Sequence, residues 1–377
     1  MINCEIFLKL LLLEYITAGG FSGMPLPTSL LHEGTLMRNA LWSDFSALEN
    51  IEIVTTCDAR LDLPKLNLSN NHVAHTIADH SLSEIMQIWR NLIEDCDAVL
   101  VIAPETDGVL ETLMKMVEES AVKNLGCTRA AVQIASNKYD TYRLLKSAGI
   151  LTIPTYAVHA FLVSDFRQNL AFKNGCVIKP VDGAGCEDTL YFNDDMALRA
   201  WLLSKASKDL KTQAKSIIQP YQIGTPASLS ILCKHGKALL LSCNQQMIEF
   251  TSSDMKHSKM TGNDVLQNQD GHASMHYKGC FVNGLNEHQQ AFATLAKDIA
   301  AALPGLNGYI GVDVILNHDD IYVVEINPRI TTSYIALGES IGINPAKLLL
   351  DLAYDESLNF MLPANMTAHT IAINLNE

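Results

Sequence analysis

The stretch IYVVEIN, residues 321–327, decides how this chain folds. Side chains on a β-strand alternate between two faces, so Glu325 and Asn327 point the same way. An apolar strand just before this stretch carries Asp313. A hairpin centred on Asp319 sets Asp313 directly opposite Glu325. Three oxygen-bearing side chains are therefore predicted to converge on one face of a sheet.

These three side chains predict a divalent metal site. Burying unpaired carboxylates is costly, and a bound hard cation offsets that cost. Carboxylate and amide oxygens suit Mg²⁺ or Mn²⁺, which accept water and phosphate oxygens as further ligands. The alternative is a solvated edge hairpin with a polar outer face. That alternative accounts for Asp319 and Asp320 at the turn, but less well for Glu325 followed by the sequence NPR at 327–329.

A second signal is the sequence VIKPVDGAG at residues 177–185. Lys179 ends a short apolar strand, and the glycines that follow let the backbone approach phosphate oxygens closely. The loop matches neither of the common glycine-rich phosphate motifs, and an ordinary hairpin loop is the alternative. Lys138, in the segment SNKYD, is weaker evidence, because a single helical lysine is usually a solvated charge.

Composition narrows the class of protein. A chain of 377 residues is long enough for two or three domains, and its 48% hydrophobic and 18% charged residues are typical of globular proteins. A net charge of −14 without a dense basic run argues against nucleic acid as the main ligand. Nine cysteines, an odd total without C-x-x-C spacing, favour free thiols and a cytoplasmic protein. The apolar run at 6–13 contains Lys9 and is flanked by acids, which favours a buried strand over a signal peptide or membrane span.

Strands and helices alternate in the first part of the chain. Apolar strands are predicted at 10–15, 51–55 and 98–103, and helices at 30–48 and 83–95. This alternation predicts a mostly parallel sheet covered on both faces. In such folds the ligand-facing loops lie at the carboxyl ends of the strands, and here they carry Gly19, Gly20 and Glu105.

The pattern changes near residue 126. Helices are predicted at 136–149 and 289–303, and strands at 177–180, 217–221, 309–316 and 321–326, with two more strands inside 228–246. Residues 251–279 are polar and without clear period, which predicts a long surface loop.

The order of these features resembles the ATP-grasp superfamily over residues 126–350. The resemblance implies an α/β (α+β) fold, in which two α+β lobes enclose a nucleotide behind an N-terminal domain with a parallel sheet. We divide the chain into that domain at 1–125, a small lobe at 126–218 and a large lobe at 219–377. Members of the superfamily are often dimers.

The resemblance also implies roles for single residues. ATP contacts are implied for Lys138, Lys179, Gly183, Ala184, Gly185, Gln219, Pro220, Tyr221 and Ile223. Asp313, Glu325 and Asn327 are implied as ligands of Mg²⁺ or Mn²⁺. Many members have a glutamate near the adenine where this chain offers Gln219, Pro220 or Thr225.

A narrower resemblance is to the tyramine–glutamate ligases of methanofuran biosynthesis and their relatives in methylotrophic bacteria. It is carried by the sequences LEYITAGG (13–20), SLLHEG (29–34), APETDG (103–108), LSCNQQ (241–246) and residues 325–334. The resemblance implies that the γ-carboxylate of glutamate is activated as an acyl phosphate and joined to a tyramine-like or tyrosine-like amine. Substrate contacts are expected among Glu14, Gly19, Gly20, Glu105, Asn244 and Ser333.

Catalysis of this kind is mainly positioning and neutralisation of charge. Lys179 and Arg329 are the predicted catalytic residues, since guanidinium binds phosphate bidentately; a surface ion pair is the alternative for Arg329. The hydroxyl-rich turn at 331–333 holds a substrate carboxylate or caps a helix. The glycine loop at 183–185 is expected to close over the nucleotide and exclude water. Glu14, Glu105 and a phosphate oxygen all remain candidates for the general base.

Three other functions stay open on the sequence. The first is another peptide-forming ligase of the same architecture, similar to D-alanine–D-alanine ligase. The second is a nucleotide-binding regulator that has lost catalysis. The third is a kinase that releases the phosphorylated acid.

Overall fold

The computed structural model describes residues 7–62, 72–158, 172–183, 185–206, 215–251, 272–355 and 360–375, without the side chains of 195 and 204–206. Within these ranges no helix combines the length and apolar character needed to cross a membrane. Free thiols are present at Cys57, Cys96, Cys127, Cys186, Cys233, Cys243 and Cys280.

The N-terminal domain is a parallel sheet with helices packed against it. Its strands are β1 (Leu8–Glu14), β2 (Ile51–Asp58), β3 (Val73–Ile77), β4 (Ala98–Ile102) and β5 (Lys123–Asn124), and its helices are α1 (Thr28–Ser46), α2 (Leu82–Glu94) and α3 (Val109–Glu118). The strands lie in the order β3-β2-β1-β4-β5, and each neighbouring pair is parallel. The predicted parallel sheet is therefore confirmed.

The sequence explains this domain locally. Leu10 to Leu13 of β1 are fully buried, as expected for a central parallel strand covered on both faces. Helix α2 begins at a capping box, in which Ser81 and Glu84 satisfy each other's backbone N–H groups. Trp89 of α2 is fully buried in the hydrophobic core that this helix shares with the sheet. A π-helical turn, Ile16–Gly20, follows β1 where we predicted an open loop.

The rest of the chain is built on an antiparallel sheet. Its helices are α4 (Arg129–Ala135), α5 (Lys138–Ser147), α6 (Asp195–Ala206), α7 (Gln289–Ala302), α8 (Leu337–Ile341) and α9 (Pro345–Tyr354). Its strands are β6 (Tyr156–Ala157), β7 (Cys176–Pro180), β8 (Leu190–Phe192), β9 (Ser216–Pro220), β10 (Thr225–Lys234), β11 (Lys237–Thr251), β12 (His272–Val282), β13 (Gly308–Asn317), β14 (Asp320–Asn327) and β15 (Ile371–Asn374). They follow the order β14-β13-β10-β11-β12-β8-β7-β9-β6, and β15 pairs with β12.

This sheet has two parts. Strands β6 to β9 and helix α6 enclose a small core of their own, formed by Val158, Cys176, Ile178, Phe192, Leu198, Leu202 and Ile218. The remaining strands share larger cores with the N-terminal domain. Only the short pairing of β8 with β12 joins the two parts within the described sheet. The lobe boundary that we drew at 218/219 falls inside β9, which pairs with β7 of the smaller part.

One prediction about these elements was confirmed and one was wrong. The predicted helix at 136–149 corresponds to α5, which begins at Lys138 because Asn137 caps it with its side chain; α4 is a separate helix that ends before this range. The predicted surface loop at 251–279 ends instead in strand β12, which pairs with β11 along most of its length. Polar side chains of β12 gave it the composition of a loop. Residues 252–271 of that prediction lie outside the described residues.

Candidate active site

A cavity of about 1150 Å³ lies between the N-terminal domain, helix α5 and both parts of the antiparallel sheet. The predicted site residues that line it are Glu14, Lys138, Lys179, Gly183, Gly185, Gln219, Pro220, Tyr221, Ile223, Asp313, Glu325, Asn327, Arg329 and Ser333. Ala184 lies outside the described residues. Gly19, Gly20, Glu105 and Asn244 are not among the lining residues.

The carboxylate pair sits on the β13–β14 hairpin. Asp313 faces Glu325 across the two strands, as predicted. The turn differs from the prediction: it is the two residues between Asn317 and Asp320, and His318 adopts φ 53° there. The register then shifts beyond Val314, so that Asp313 still meets Glu325. A bulge of this kind re-aims side chains beside functional sites.

Two lysines stabilise the negative charge of Glu325. Lys138 Nζ lies 3.2 Å and Lys179 Nζ 3.9 Å from Glu325 Oε2. Burial acts to raise the pKa of Glu325, but the two ammonium groups outweigh burial and lower that pKa to about 2. For Lys179, burial outweighs the attraction of Glu325 and lowers the pKa of the ammonium. We call the region lined by Lys138, Lys179, Asp313 and Glu325 the phosphate end of the cavity.

Asp313 is held by amides instead of cations. Gln246 Nε2 donates to Asp313 Oδ1 over 2.8 Å, and Asn327 Nδ2 donates to Asp313 Oδ2 over 3.2 Å. Burial and the neighbouring Glu325 raise the pKa of Asp313 to about 8. A proton on Asp313 relieves the repulsion between the two carboxylates when no other cation is near.

These residues fit a hard divalent cation. Asp313, Glu325 and Asn327 all line the cavity, and the amide nitrogen of Asn327 donates to Asp313. Within the described ranges no group of three or more His, Cys, Asp or Glu side chains is arranged around a common point. Two carboxylates and one amide oxygen are few ligands, which suits Mg²⁺ or Mn²⁺ because each accepts water and phosphate oxygens as well.

Local structure places the two lysines. Asn137 Oδ1 accepts hydrogen bonds from Tyr139 N and Asp140 N, so Lys138 becomes the first residue of α5. Its Nζ donates to Gly183 O over 2.7 Å, which ties the helix to the glycine loop. Lys179 comes from β7, directly before that loop.

Aromatic rings line another wall of the cavity. Tyr221 packs edge-on against Phe250, with ring centroids 6.1 Å apart, and against Tyr191 at 5.0 Å. Gln219 is buried and donates to Thr155 Oγ1 over 2.9 Å, so its amide nitrogen is committed within the protein. The wall therefore offers apolar ring surface to a flat ligand.

Arg329 forms a buried ion pair and not a surface one. Its Nε and one terminal nitrogen donate to the two oxygens of Glu105, each over 2.9 Å, and its other terminal nitrogen donates to Ile330 O. The side chains are 10% and 3% exposed. Burial lowers the pKa of Arg329, but Glu105 outweighs burial and raises it. Glu105 therefore fixes Arg329 from behind, and Arg329 faces the cavity.

Glu14 anchors the turn after β1. Its carboxylate accepts hydrogen bonds from Thr17 N at 2.8 Å, Thr17 Oγ1 at 2.6 Å and Ile16 N at 3.2 Å. Burial raises the pKa of Glu14. Gly19 and Gly20 belong to the same turn, where a Cβ would collide with Ile77 or Tyr15. These glycines allow close packing inside the domain.

Ser333 belongs to a hydroxyl network under the cavity. It bonds with Tyr309, Ser230 and Thr331, at 3.0, 3.1 and 3.0 Å. Asn244 lies deeper and donates to Ser230 Oγ over 3.2 Å, which explains why it does not reach the cavity. Thr331 makes no side-chain capping bond to the 3₁₀ turn Thr332–Ala336, so the helix-capping interpretation of this segment was wrong.

The sequence assigned no role to Gln246 and Glu33, which both line the cavity. Gln246, which bonds Asp313, lies two residues after Asn244, and the strand period of two was a usable signal. Glu33 lies on α1 together with Leu30, Gly34 and Met37, which all line the cavity. Their spacing is one helix face, and the sequence SLLHEG (29–34) covers part of it, but the sequence did not single out the Glu33 carboxylate. We call this face, with Arg329, the acceptor end of the cavity.

Comparison with known proteins agrees with this arrangement. The chain matches the ATP-grasp domain family over residues 135–333 and the pre ATP-grasp 3 domain over residues 51–132. Tyramine–L-glutamate ligase of Methanocaldococcus fervens is 29% identical over 354 residues, 93% of this chain and 96% of the relative. The ligase of the same name from Methanocaldococcus jannaschii is 27% identical over 355 residues, 93% of this chain and 91% of the relative. The solved structure of L-amino acid ligase from Bacillus licheniformis has a TM-score of 0.62 at 15% identity, covers 96% of this chain and 79% of its own, and supports the fold alone.

Proposed function

Because the chain belongs to the ATP-grasp family and is an ATP-dependent ligase, we propose that it joins a carboxylic acid to an amine through an acyl phosphate. The observation that carries the proposal is that the phosphate end and the buried Arg329 line the same cavity. Charge-neutralising groups for ATP thus lie in one cavity with a guanidinium that can hold an activated acid. We propose the division into domains at 1–125, 126–218 and 219–377 as well, with the second boundary moved past the end of β9 at Pro220, each part forming one wall of that cavity.

Magnesium or manganese would be held by Asp313, Glu325 and Asn327. When bound there, the divalent cation would supply positive charge to neutralise the charge that develops in phosphoryl transfer. Lys138 and Lys179 stand beside Glu325 and would neutralise the remaining phosphate charge. Gly183 and Gly185 would bring backbone N–H groups over the phosphates, and Ala184 is proposed with them from the sequence alone.

The adenine would lie on the wall formed by Gln219, Pro220, Tyr221 and Ile223. This placement is supported by the aromatic surface of Tyr221 and Phe250 and by the position of all these residues on the cavity. A flat base packs well against such rings. The bond between Gln219 and Thr155 leaves hydrogen bonding to the base mainly to the backbone of this segment.

The reaction follows from the need for a leaving group. A carboxylate oxygen attacks the γ-phosphorus of ATP, the bond to the ADP oxygen breaks, and an acyl phosphate forms. The amine then attacks the acyl carbon, and phosphate leaves with the electron pair of the C–O bond. Arg329 is proposed to bind the acyl phosphate or the tetrahedral oxyanion with its remaining N–H groups while Glu105 holds it in place.

The proposed substrates are the γ-carboxylate of glutamate and tyramine or a tyrosine-like amine. Two relatives that match most of the chain carry the name tyramine–L-glutamate ligase. Ser333 and Thr331 place hydroxyls near Arg329, where an amino-acid carboxylate would bind, while Leu30 and Met37 offer apolar contact to an aryl group. Glu14 would act by shaping the turn beside the substrate.

Oxygen labelling tests the acyl phosphate. Glutamate labelled with ¹⁸O in its γ-carboxylate is incubated with ATP, Mg²⁺ and tyramine, and both products are read by mass spectrometry. We expect one ¹⁸O in each released phosphate and one in each amide. Amide formed with unlabelled phosphate would contradict the acyl-phosphate route. A phosphorylated acid without amide would identify a kinase, and activity only with a pair of D-amino acids would identify the other ligase class.

A further inference from the structure

Glu33 stands apart from the other carboxylates of the cavity. It lines the acceptor end on the same face of α1 as Leu30, Gly34 and Met37. Among the described residues no hydrogen bond or ion pair reaches its carboxylate; the charges that influence it are Arg329, which attracts it, and Glu187, which repels it. Burial raises the pKa of Glu33, since the carboxylate loses solvent without gaining a bonded partner.

The neighbouring ionic groups are already engaged. Arg329 donates to both oxygens of Glu105, and Glu14 accepts three hydrogen bonds from the turn after β1. Arg38 is buried, bonds Asn39 and lies near Glu14. Glu33 therefore lacks a bonded cation among the described residues. A partly buried carboxylate without a bonded partner is costly, so a cationic ligand would be stabilised here.

The position of Glu33 fits the reacting centre. A Cβ placed on Gly185 would lie 3.6 Å from Glu33 Oε1, so the carboxylate sits against the glycine loop. Arg329 lines the same cavity and is near enough to act on the charge of Glu33. The carboxylate is therefore close both to the loop proposed to cover the phosphates and to the guanidinium proposed to hold the acyl phosphate.

We propose that Glu33 binds the ammonium group of the acceptor amine and takes one proton from it before attack. This inference rests on the proposed function. The ammonium transfers a proton to the Glu33 carboxylate and leaves a neutral amine, whose lone pair attacks the acyl carbon. The C–N bond forms, the C–O bond to phosphate breaks, and the second amine proton leaves with the phosphate as HPO₄²⁻. Glu33 returns its proton to solvent when the products leave. Glu14 and Glu105, our earlier candidates for the base, are already bonded inside the protein.

The test separates activation of the acid from attack by the amine. Hydroxylamine is uncharged near neutral pH and traps an acyl phosphate as a hydroxamate without needing a carboxylate to bind an ammonium. Wild-type protein, Glu33→Gln and Glu33→Asp are assayed with glutamate, ATP and Mg²⁺, once with hydroxylamine and once with tyramine. Glu49→Gln, an exposed glutamate beyond the end of α1, is the matched control.

We expect Glu33→Gln to keep hydroxamate formation within about twofold and to lose about 10²-fold or more in kcat/KM for tyramine, the usual scale for a lost general base. Glu33→Asp should recover part of the amide reaction, and Glu49→Gln should match the wild type. Equal loss of both reactions in Glu33→Gln, or loss of neither, would overturn the role of Glu33. Wild-type protein that forms no hydroxamate would instead refute the acyl phosphate of the proposed function.

Discussion

The phosphate end and the acceptor end of the cavity compensate buried charge in different ways. At the phosphate end, Glu325 has two lysines within 4 Å and Asp313 has two amide donors. At the acceptor end, Arg329 forms an ion pair with Glu105, and Glu33 has no hydrogen bond among the described residues. The first end is assembled by the protein's own charges before any ligand binds. The acceptor end leaves a carboxylate without a bonded partner, with which a cationic substrate can pair. Substitutions at the two ends should therefore have different effects on the reaction.

Glu325→Gln should give the largest loss of activity, and the damage should be confined to the phosphate end. The amide keeps the size of the side chain but removes the charge that both lysines share and one oxygen ligand of the proposed metal. We expect kcat to fall by about 10³, roughly 4 kcal/mol, in the amide assay and in the hydroxamate assay alike. Asp319→Asn, at the exposed turn of the same hairpin, is the control. Near-normal activity of Glu325→Gln would remove Glu325 from the site.

Glu105→Gln tests the internal ion pair of the acceptor end. Arg329 would stay buried without its counter-charge, and breaking such a pair typically costs about 3 kcal/mol or more. Glu111→Gln is the comparison, because its bond to Arg129 is more exposed and should be worth about 0.5 kcal/mol. Urea denaturation of the two variants gives both values. Equal losses of stability would contradict the view that Arg329 and Glu105 form a buried structural unit.

Lys179→Met should weaken the use of ATP and leave the acceptor end intact. Lys179 is the cation 3.9 Å from Glu325 at the end of β7, and its loss leaves phosphate charge less neutralised. We expect kcat/KM for ATP to fall on the order of 10²-fold, with KM for tyramine within about twofold. Lys297→Met, on the exposed face of α7, should change neither value. A selective rise in KM for tyramine would show that the two ends are not separable.

Asn137→Ala should give the smallest effect, through the position of Lys138. Loss of the cap costs about 1 kcal/mol of stability, and Lys138 at the first position of α5 becomes less well held, so KM for ATP should rise a few-fold. Asn344→Ala removes the same kind of cap from α9, away from the phosphate end. It should cost similar stability in denaturation while KM for ATP stays unchanged. Equal KM values for the two variants would contradict the positioning role of Asn137.

The parts of this site that could be predicted from sequence are local. The pairing of Asp313 with Glu325 follows from strand period and hairpin geometry over a dozen residues, and it survived an error in the turn because a bulge restored the register. Lys179 was identifiable because a strand and a glycine loop surround it. Strand β12 was misread because its polar side chains gave it the composition of a loop, although its backbone pairs with β11.

The parts that could not be predicted depend on contacts between distant segments. Arg329 and Glu105 are 224 positions apart, and no local pattern pairs them. Glu33 has neighbours on α1 that are ordinary helix residues. Its carboxylate is recognisable as part of the site only because α1 packs against the cavity. Glu14 was expected to contact substrate because of the family resemblance, yet the turn after it takes its hydrogen bonds. Sequence indicates where charges occur, whereas the fold decides which of them are already paired.

Release of ADP is the most direct test of the ligase proposal. The full chain is incubated with ATP and Mg²⁺, with glutamate alone, with tyramine alone and with both, and ADP, phosphate and the mass of any new amide are measured together. We predict sustained ADP release only with both substrates, with one amide and one phosphate for each ADP. ADP released at the same rate without the amine, or an absence of ADP with every acid and amine tried despite bound ATP, would contradict the account.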